Sequence, residues 1–364
     1  MREKMMKDTI LGLELTNFCN CSCIMCTQSS MNVNKGFMSE SVFEKILRNI
    51  VDNDMCFSKL VPFGLGESTL HPQFHDFMKK IFSLNSTGRY FKAIDLHTNA
   101  INLDEKTIDL FIQYGEQLNT ISFSIDAIHP ETYQKIRRNP NFEDMIKNIT
   151  CFYRKRGKKR LPRTNLQFIV MDENAHESRD FLDYWSRLFR KNGIEYQVNH
   201  DWEPPMRLDT IFFKRLNPID HSNLEQSEKL HRDVVSDLGI MNSTDDSEKR
   251  AVNSTEYRGE RRRYPCSGPF KYTMISWDGE VTVCCIDTLR ELSLGNIKDK
   301  DLYDIWMSDR NHSYRLAHIS GDLSCMPKCR NCNNLDSPHI SRDELRNYIK
   351  KYGPSDYMRY LEDI

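Results

Sequence analysis

The sequence lacks several features that would assign it to a simple structural class. No stretch approaches the roughly 18 consecutive apolar residues of a membrane-spanning helix, and residues 1–8 carry too many charges for the apolar part of a signal peptide. Neither charge sign is in excess, because 51 basic residues face 52 acidic ones and leave a formal net charge of -1. These absences exclude a transmembrane bundle and a polycationic nucleic-acid binder. We expect a soluble, cytoplasmic protein.

Twelve cysteines occur in a chain of 364 residues, which is long enough for about two domains and a substantial core. Because the cytoplasm keeps thiols reduced, this number favours metal or redox chemistry over disulfide bonds. Four cysteines form an N-terminal group: Cys19, Cys21, Cys23 and Cys26. Two stand alone, Cys56 and Cys151. Six form a C-terminal group: Cys266, Cys284, Cys285, Cys325, Cys329 and Cys332.

Short apolar runs alternate with amphipathic segments between the two cysteine groups, which is typical of strand–helix units and a parallel sheet. Six runs are predicted strands: Ile10–Thr16, Lys59–Phe63, Phe91–His97, Thr120–Ile125, Thr164–Val170 and Ile194–Val198. Four segments are predicted helices: Phe74–Ser83, Glu105–Tyr114, Glu143–Tyr153 and Ser178–Asn192. A further helix is predicted to begin at Ser41, which forms a capping box with Glu44. Right-handed crossovers then give an α/β fold, a partial (β/α)6 TIM-like barrel with its site at the C-terminal ends of the strands.

The C-terminal part is predicted to contain a hairpin. Asp278 and Gly279 form a two-residue turn signal between the predicted strands Tyr272–Trp277 and Glu280–Ile286. The chain therefore divides into four predicted parts: residues 1–200, the barrel; 201–264, a charged insertion or bridging segment; 265–335, a small cysteine-rich domain of a β-hairpin plus helix; and 336–364, a helical tail.

The N-terminal cysteines have a spacing that suits an iron–sulfur cluster. Cys19, Cys23 and Cys26 follow the first predicted strand as Cys-x3-Cys-x2-Cys. Three thiolates from one loop can hold three irons of a cubane cluster and leave the fourth iron open to another ligand. A zinc knot that includes Cys21, or a set of unrelated thiols, is the alternative.

Residues 14–26, which read ELTNFCNCSCIMC, resemble the cluster loop of the radical S-adenosylmethionine (SAM) enzymes. Further segments resemble that family's motifs in the same order: residues 35–39, KGFMS; 65–68, LGES; 98–100, TNA; and 122–126, SFSID. The resemblance spans about residues 10–200. It implies that Cys19, Cys23 and Cys26 carry a SAM-binding 4Fe-4S cluster.

The resemblance also implies contacts with SAM. Met25 would pack near the adenine, Glu67 would receive the amino group, and Ser124 and Asp126 would face the ribose. Taken singly, these residues also match a solvated carboxylate and a turn-forming pair, but all except Met25 are predicted at the functional rim of the barrel.

Two positions depart from the family pattern, because Leu65 replaces a Gly and Ser68 a Pro. We expect Cys21 to be a packed thiol that does not bind the cluster.

The C-terminal cysteines resemble the auxiliary-cluster extension called SPASM, or its shorter twitch form. That resemblance implies one auxiliary 4Fe-4S cluster, with Cys266, Cys284, Cys329 and Cys332 as the predicted ligands. Cys285 and Cys325 are competing ligands. Cys284 and Cys285 would point to opposite faces of a strand, so only one of them is expected to face the metal. Cys325 lies four residues before Cys329. A zinc ribbon is the alternative.

The resemblance implies a redox enzyme. Reductive cleavage of SAM would give a 5'-deoxyadenosyl radical that abstracts a substrate hydrogen atom, and the auxiliary cluster would take up the surplus electron. The expected substrate is a small hydroxylated molecule such as a sugar or cyclitol, and the general base is not assigned. Two alternatives remain open: a radical SAM enzyme that modifies a ribosomally made peptide, and a zinc-binding module without redox chemistry.

The expected electron donor is a flavodoxin or a ferredoxin-type protein, and neither a membrane nor a nucleic acid is an expected partner. Two basic stretches, Arg154–Arg160 and Arg261–Arg263, match either a docking surface for such an acidic donor or simply solvated charges.

Overall fold

The fold is described from a computed structural model of the chain. The structure describes residues 6–30, 33–201, 207–217, 224–240, 264–330, 332 and 340–361. Its strands are β1 (Ile10–Leu13), β2 (Lys59–Val61), β3 (Ile94–Thr98), β4 (Leu118–Ser124), β5 (Arg163–Val170), β6 (Tyr196–Asn199), β7 (Asp209–Arg215), β8 (Tyr272–Ile275), β9 (Glu280–Thr282) and β10 (Ser293–Asn296).

The described helices are mostly amphipathic. They are α1 (Glu40–Asp52), α2 (Phe74–Leu84), α3 (Glu105–Gln113), α4 (Pro130–Arg137), α5 (Phe142–Arg156), α6 (Ser178–Asn192), α7 (Leu224–Leu238), α8 (Gly268–Lys271), α9 (Leu302–Trp306), α10 (Asp309–Ser320), α11 (Pro327–Arg330) and α12 (Arg342–Tyr352). No helix among the described residues is long and apolar enough to cross a membrane.

The described strands form one open sheet in the order β10-β9-β8-β1-β2-β3-β4-β5-β7-β6. Neighbouring strands from β8 to β6 run parallel, and β9 and β10 continue the sheet antiparallel beyond β8. The predicted partial α/β barrel is therefore confirmed. One face of each barrel strand packs on the helices, as in β3, where Ile94 and Leu96 join the main hydrophobic core while Asp95 and His97 face the barrel interior.

Segment 201–264 differs in part from its prediction as an insertion. Asp209–Arg215 is a strand of the barrel sheet, inserted between β5 and β6, and Leu224–Leu238 is a helix packed on it. The buried run Ile211–Phe213 explains the strand, but it is short and lies between charged residues. Arg261–Arg263 lie outside the described residues.

The start of the first helix also differs from its prediction. The N-cap is Ser39, whose hydroxyl accepts a hydrogen bond from the backbone of Val42 at 3.4 Å, so the capping box at Ser41 was wrong. Ser39 and Ser41 are both possible N-cap residues, so the sequence alone did not decide which of them begins the helix.

The hairpin strand β8 pairs parallel with β1, in register from Ile10 with Tyr272 to Leu13 with Ile275. The side chain of Met274 packs closely on β1, since a Cβ at Gly12 would lie 2.4 Å from its sulfur. The cysteine-rich part thus extends the barrel sheet itself.

Candidate functional site

The loop that follows β1 carries the N-terminal cysteines and is fastened to the last turn of α4. The backbone N–H of Ser22 donates to the carbonyl of Arg137 at 3.2 Å, and that of Ile24 donates to the carbonyl of Ile136 at 2.9 Å. α4 ends here because Arg138 adopts the left-handed conformation, with φ of 50°. Helix-end carbonyls need such partners, so the helix end fixes the loop that contains the cysteines.

The four N-terminal thiols lie close enough to change one another's acidity. A hydrogen bond from the Cys21 thiol lowers the pKa of Cys19 and, together with the charge of Arg137, lowers the pKa of Cys23 to about 6. Burial raises the pKa of Cys26. The bonds that link Cys21 to Cys19 and Cys23 raise the pKa of Cys21 itself. Cys23 is therefore favoured as a thiolate, the form that binds iron, and the thiol of Cys21 is the hydrogen-bond donor to Cys19 and Cys23.

The surroundings of these thiols suit an iron–sulfur cluster. Among the described residues, the hydroxyl of Tyr133 and the Nε of Arg137 are buried without a hydrogen-bond partner, and both side chains interact with Cys23. Buried donors need acceptors, and the sulfurs of a cluster accept hydrogen bonds. In the same described part, no three Cys, His, Asp or Glu side chains converge on a single metal ion. A cubane cluster does not need such convergence, because each thiolate binds a different iron.

Glu67 lies next to the cysteine loop, and only 2% of its surface is exposed. Its Oε1 accepts hydrogen bonds from the backbone and hydroxyl of Thr69 and, at 2.9 Å, from the hydroxyl of Thr98. Its Oε2 accepts one from the backbone N–H of Asn99 at 2.8 Å. Burial raises the pKa of Glu67, and these bonds oppose the rise. A carboxylate offers about four acceptor positions, two on each oxygen, so Oε2 keeps one for a further donor.

The departures from the family motif around Glu67 are accommodated by side chains. The backbone N–H of Leu65 donates to the buried carboxylate of Glu14 at 2.9 Å, and the hydroxyl of Ser68 donates to the carbonyl of Pro62 at 2.6 Å. The retained Gly66 is required, because a Cβ there would lie 2.3 Å from a backbone oxygen of the segment that leads into the cysteine loop.

The segment around Gly36 joins the cysteine loop to the C-terminal hairpin. The side-chain oxygen of Asn17 accepts a hydrogen bond from the backbone of Gly36 at 2.9 Å, and a Cβ on this glycine would lie 2.3 Å from the ring of Trp277. His71 bonds the carbonyl of Met38 through Nε2 at 2.9 Å. These contacts explain the glycine and methionine of the motif as packing residues.

The other predicted SAM contacts occupy different surroundings. Met25 is half-buried in the loop, and Ser124 is half-buried at the C-terminal end of β4. Asp126 is fully buried beneath the loop, where one oxygen accepts a hydrogen bond from the backbone of Ile169 at 2.7 Å and the other pairs with Arg137 at 2.5 Å. Both oxygens of Asp126 are thus engaged within the chain.

Sequence reasoning did not find the polar residues inside the barrel. Strand pairing places five polar side chains at one level of the interior: His97, Ser122, Asn165, Thr210 and Gln197. Among the described residues, both polar atoms of the Asn165 side chain are buried and have no hydrogen-bond partner. Polar residues alternate with core residues along β3 to β5, and this pattern was visible in the sequence. Alternation alone does not tell whether the polar face of a strand faces a barrel interior or solvent.

Lys214 is a second interior residue that the sequence did not reveal. It lies on β7 and interacts electrostatically with His97 on β3, with Asp126 after β4 and with Cys285 in the loop after β9. Burial lowers the pKa of His97 to about 4, so its imidazole is neutral at pH 7. The interior therefore combines a cation, a neutral imidazole and an unpartnered amide.

The C-terminal cysteines gather at the other end of the barrel interior. Because β9 runs antiparallel to β8, Cys284 and Cys285 follow it near the start of β1, next to Tyr272. Burial raises the pKa of Cys284, and the neighbouring Cys285, Cys266 and Cys332 raise it further. Cys285 lies beside the same thiols, with its side chain exposed.

The two remaining C-terminal cysteines differ in their surroundings. Cys329 is half-buried against the main core, whereas Cys325 is exposed. The structure brings Cys266, Cys284 and Cys332 together and leaves Cys285 as a close neighbour of the same group.

Two residues of the basic stretch Arg154–Arg160 are engaged within the chain, whereas Arg154, Lys158, Lys159 and Arg160 are exposed. Arg156 is buried and forms two bonds to the carboxylate of Asp209, at 2.7 and 2.6 Å. Lys155 pairs with Asp109 at 2.8 Å. Arg156 is therefore a structural residue and no part of a docking surface.

Two family models match the chain, in agreement with this geometry. The radical SAM superfamily model matches residues 13–184, and the SPASM iron–sulfur cluster-binding domain model matches residues 266–333. A curated relative, the tungsten-containing aldehyde ferredoxin oxidoreductase cofactor-modifying protein of Pyrococcus furiosus, is 25% identical over 350 residues, which are 90% of this chain and 88% of that protein.

Two solved structures share the fold. BtrN in complex with AdoMet and 2-DOIA is 13% identical, with a TM-score of 0.52 over 93% of this chain and 98% of its own. The structure of anSMEcpe with bound AdoMet and the Cp18Cys peptide is 15% identical, with a TM-score of 0.57 over 97% of this chain and 98% of its own. These two structures show the fold alone. The two matched family models show that the chain belongs to the radical SAM superfamily, carries a C-terminal SPASM domain, and is an iron–sulfur enzyme that uses SAM.

Proposed function

We propose that this enzyme oxidises a small hydroxylated substrate, such as a sugar or cyclitol, inside the barrel between its two clusters. The observation that carries the proposal is the level of polar side chains across the interior, with the unpartnered amide of Asn165 at its centre. A buried amide without a partner favours a ligand that brings both donors and acceptors, as a hydroxyl group does.

The chain's own residues hold the cofactors in this proposal. Cys19, Cys23 and Cys26 bind the SAM-binding cluster. Met25 packs on the adenine, the open acceptor position of Glu67 receives the ammonium group of SAM, and a charge-assisted hydrogen bond there fixes its orientation. The ribose contact falls to Ser124, because the carboxylate of Asp126, the other predicted ribose contact, is already engaged by Arg137 and Ile169.

The cluster and SAM, when bound, supply hydrogen-atom abstraction from a C–H bond. The neutral imidazole of His97 and the amide of Asn165 orient the substrate hydroxyls, and Lys214 places a positive charge beside them. We assign Cys266, Cys284, Cys329 and Cys332 to the auxiliary cluster, whose four thiolates close its coordination and suit it to accept the surplus electron.

Anaerobic reconstitution tests the proposal. We expect about eight irons per chain, as two cubane clusters require, and reductant-dependent release of 5'-deoxyadenosine from SAM. Alanine at Cys19, Cys23 and Cys26 should abolish this release, whereas Cys56→Ala, at an isolated half-buried thiol, should preserve it. Zinc without sulfide would instead identify a non-redox module.

The substrate class needs a second measurement. Hydroxylated sugars and cyclitols should stimulate 5'-deoxyadenosine formation, and Asn165→Leu should remove that stimulation while unstimulated SAM cleavage continues. Stimulation by peptides alone would favour the alternative, a peptide-modifying enzyme of the same superfamily.

A further inference from the structure

Arg137 is a buried cation that connects the barrel to the cysteine loop. Its side chain is 8% exposed, and its guanidinium pairs with the fully buried carboxylate of Asp126 at 2.5 Å. A second guanidinium nitrogen, Nη1, donates to the sulfur of Cys23 at 3.4 Å. The other oxygen of Asp126 is held by the backbone of Ile169 at 2.7 Å, so the carboxylate, and with it the guanidinium, has a fixed position.

The same residue also holds the loop backbone, because its carbonyl accepts the hydrogen bond from Ser22. The main chain and the side chain of Arg137 thus both contact the loop, and the guanidinium that bonds Cys23 is itself paired with Asp126. A buried ion pair is weak evidence for stability as such, since apolar residues often replace one without loss. Because Nη1 of Arg137 is directed at the sulfur of Cys23, the pair also places a positive charge beside that thiol.

We propose that Arg137 raises the electron affinity of the SAM-binding cluster through its N–H···S bond to Cys23, and that Asp126 positions it. The inference rests on the proposed function, because Cys23 must be a cluster ligand. The step is the transfer of one electron from a low-potential donor to the oxidised 4Fe-4S cluster, with no proton taken up and no bond broken. Hydrogen bonds and positive charge near the sulfurs stabilise the reduced cluster, which carries one more negative charge.

The expected effect has a definite sign. Without the guanidinium, the reduced cluster loses more stabilisation than the oxidised one, and the cluster becomes harder to reduce. At one fixed potential we expect the ratio of reduced to oxidised cluster to fall about tenfold in Arg137→Gln, which for a one-electron couple is a shift of about 59 mV.

The experiment is a redox titration of the reconstituted full chain, followed by electron paramagnetic resonance. The signal that changes on addition of SAM identifies the SAM-binding cluster. Arg138→Gln is the matched control, because it removes one positive charge from the exposed neighbouring residue. Arg137→Lys should retain part of the effect, since it keeps the charge but loses the fork of donors.

A second variant separates this effect from misfolding. Arg137→Gln alone leaves the carboxylate of Asp126 buried without its partner, whereas the double variant Asp126→Asn/Arg137→Gln removes both charges. We expect the double variant to keep iron and sulfide contents close to those of the unmodified protein and still to titrate at the lower potential.

The outcomes are distinguishable. If the unmodified protein binds no SAM-sensitive cluster, the proposed function fails and this inference fails with it. If the cluster assembles and both variants titrate with the unmodified protein, or if Arg138→Gln shifts the potential as far, the proposed function stands and the role of Arg137 is wrong.

Discussion

At the scale of single residues, Glu67 combines burial with negative charge at the place where a cation is expected. Its carboxylate is held by donors from three neighbouring residues, Thr69, Thr98 and Asn99, and it influences the acidity of Cys19. A group so constrained has no freedom to adapt, and any ligand must meet it in its present orientation.

Glu67→Gln keeps the size of the side chain but removes the charge. Because a hydrogen bond to a charged group contributes about 1.5–3 kcal/mol, we expect the Kd for SAM to rise about tenfold to a hundredfold. Equilibrium dialysis of the reconstituted protein measures this change, with iron content as the control for cluster assembly. An unchanged Kd would remove Glu67 from the SAM site.

His97 predicts a pH dependence of stability. Its pKa is about 4 in the folded chain, below the ordinary value near 6.5. Well above pH 6.5 the imidazole is neutral in both the folded and the unfolded chain. As the pH falls towards 4 only the unfolded chain binds the proton, so the free energy of unfolding decreases.

Between pH 7.5 and 5.5 this loss should amount to about 1 kcal/mol, and His97→Gln should abolish it. Urea unfolding at the two pH values measures the difference. His129→Gln serves as the control because that side chain is 54% exposed. Equal pH dependence in the unmodified protein and in His97→Gln would contradict the prediction.

At the scale of elements, the loop after β9 is held against α11 by one buried carboxylate. Asp287 accepts hydrogen bonds from the backbone of Glu291 at 3.0 Å and of Leu292 at 2.8 Å, and Lys328 of α11 approaches it at 3.4 Å. Cys284 is the second residue of this loop, after Val283, and Cys329 follows Lys328. Asp287 therefore sets the distance between two proposed ligands of the auxiliary cluster.

We expect Asp287→Ala to lower iron from about eight to about four per chain while SAM cleavage continues. The cause is the loss of two buried acceptor contacts, which frees the loop from α11. Iron analysis and 5'-deoxyadenosine assays check this result. Glu291→Ala, at a largely exposed neighbour, should keep both clusters, and full iron content in Asp287→Ala would refute the assignment.

The elements also show how far the sequence reaches. The partial barrel was predictable because apolar runs and amphipathic helices alternate, and Ser178–Asn192 was predicted with both boundaries correct. The strand Asp209–Arg215 was missed because its buried run is short and lies in charged surroundings. The helix Pro130–Arg137 was missed because it is only two turns long, and Arg137 was missed with it.

The cofactors were predictable from the cysteine spacing and the motifs, and the family and its cofactors are confirmed. The individual ligands and SAM contacts stay predictions. The interior residues Asn165 and Lys214 could not be assigned from the sequence, because strand order places β7 beside β5 and only strand pairing brings these residues to the same face of the sheet.

At the scale of the whole molecule, the two cysteine groups lie at opposite ends of one interior. The first lies on the loop after β1, and the second comes from separate segments of the C-terminal part. We therefore expect each cluster to assemble without the other. Cys23→Ala should lose the SAM-sensitive paramagnetic signal and retain the auxiliary cluster, while Cys266→Ala should do the reverse and still cleave SAM. Loss of both clusters in either variant would show that the two sites depend on each other.

The parallel pairing of β8 with β1 has a consequence for any attempt to simplify the enzyme. A chain shortened before residue 264 would leave the backbone donors and acceptors of one side of β1 unpaired, and such a bare edge recruits other chains. Dissection into a catalytic half and an electron-storing half should give an insoluble product, because the boundary runs through a hydrogen-bonded ladder and not along a linker.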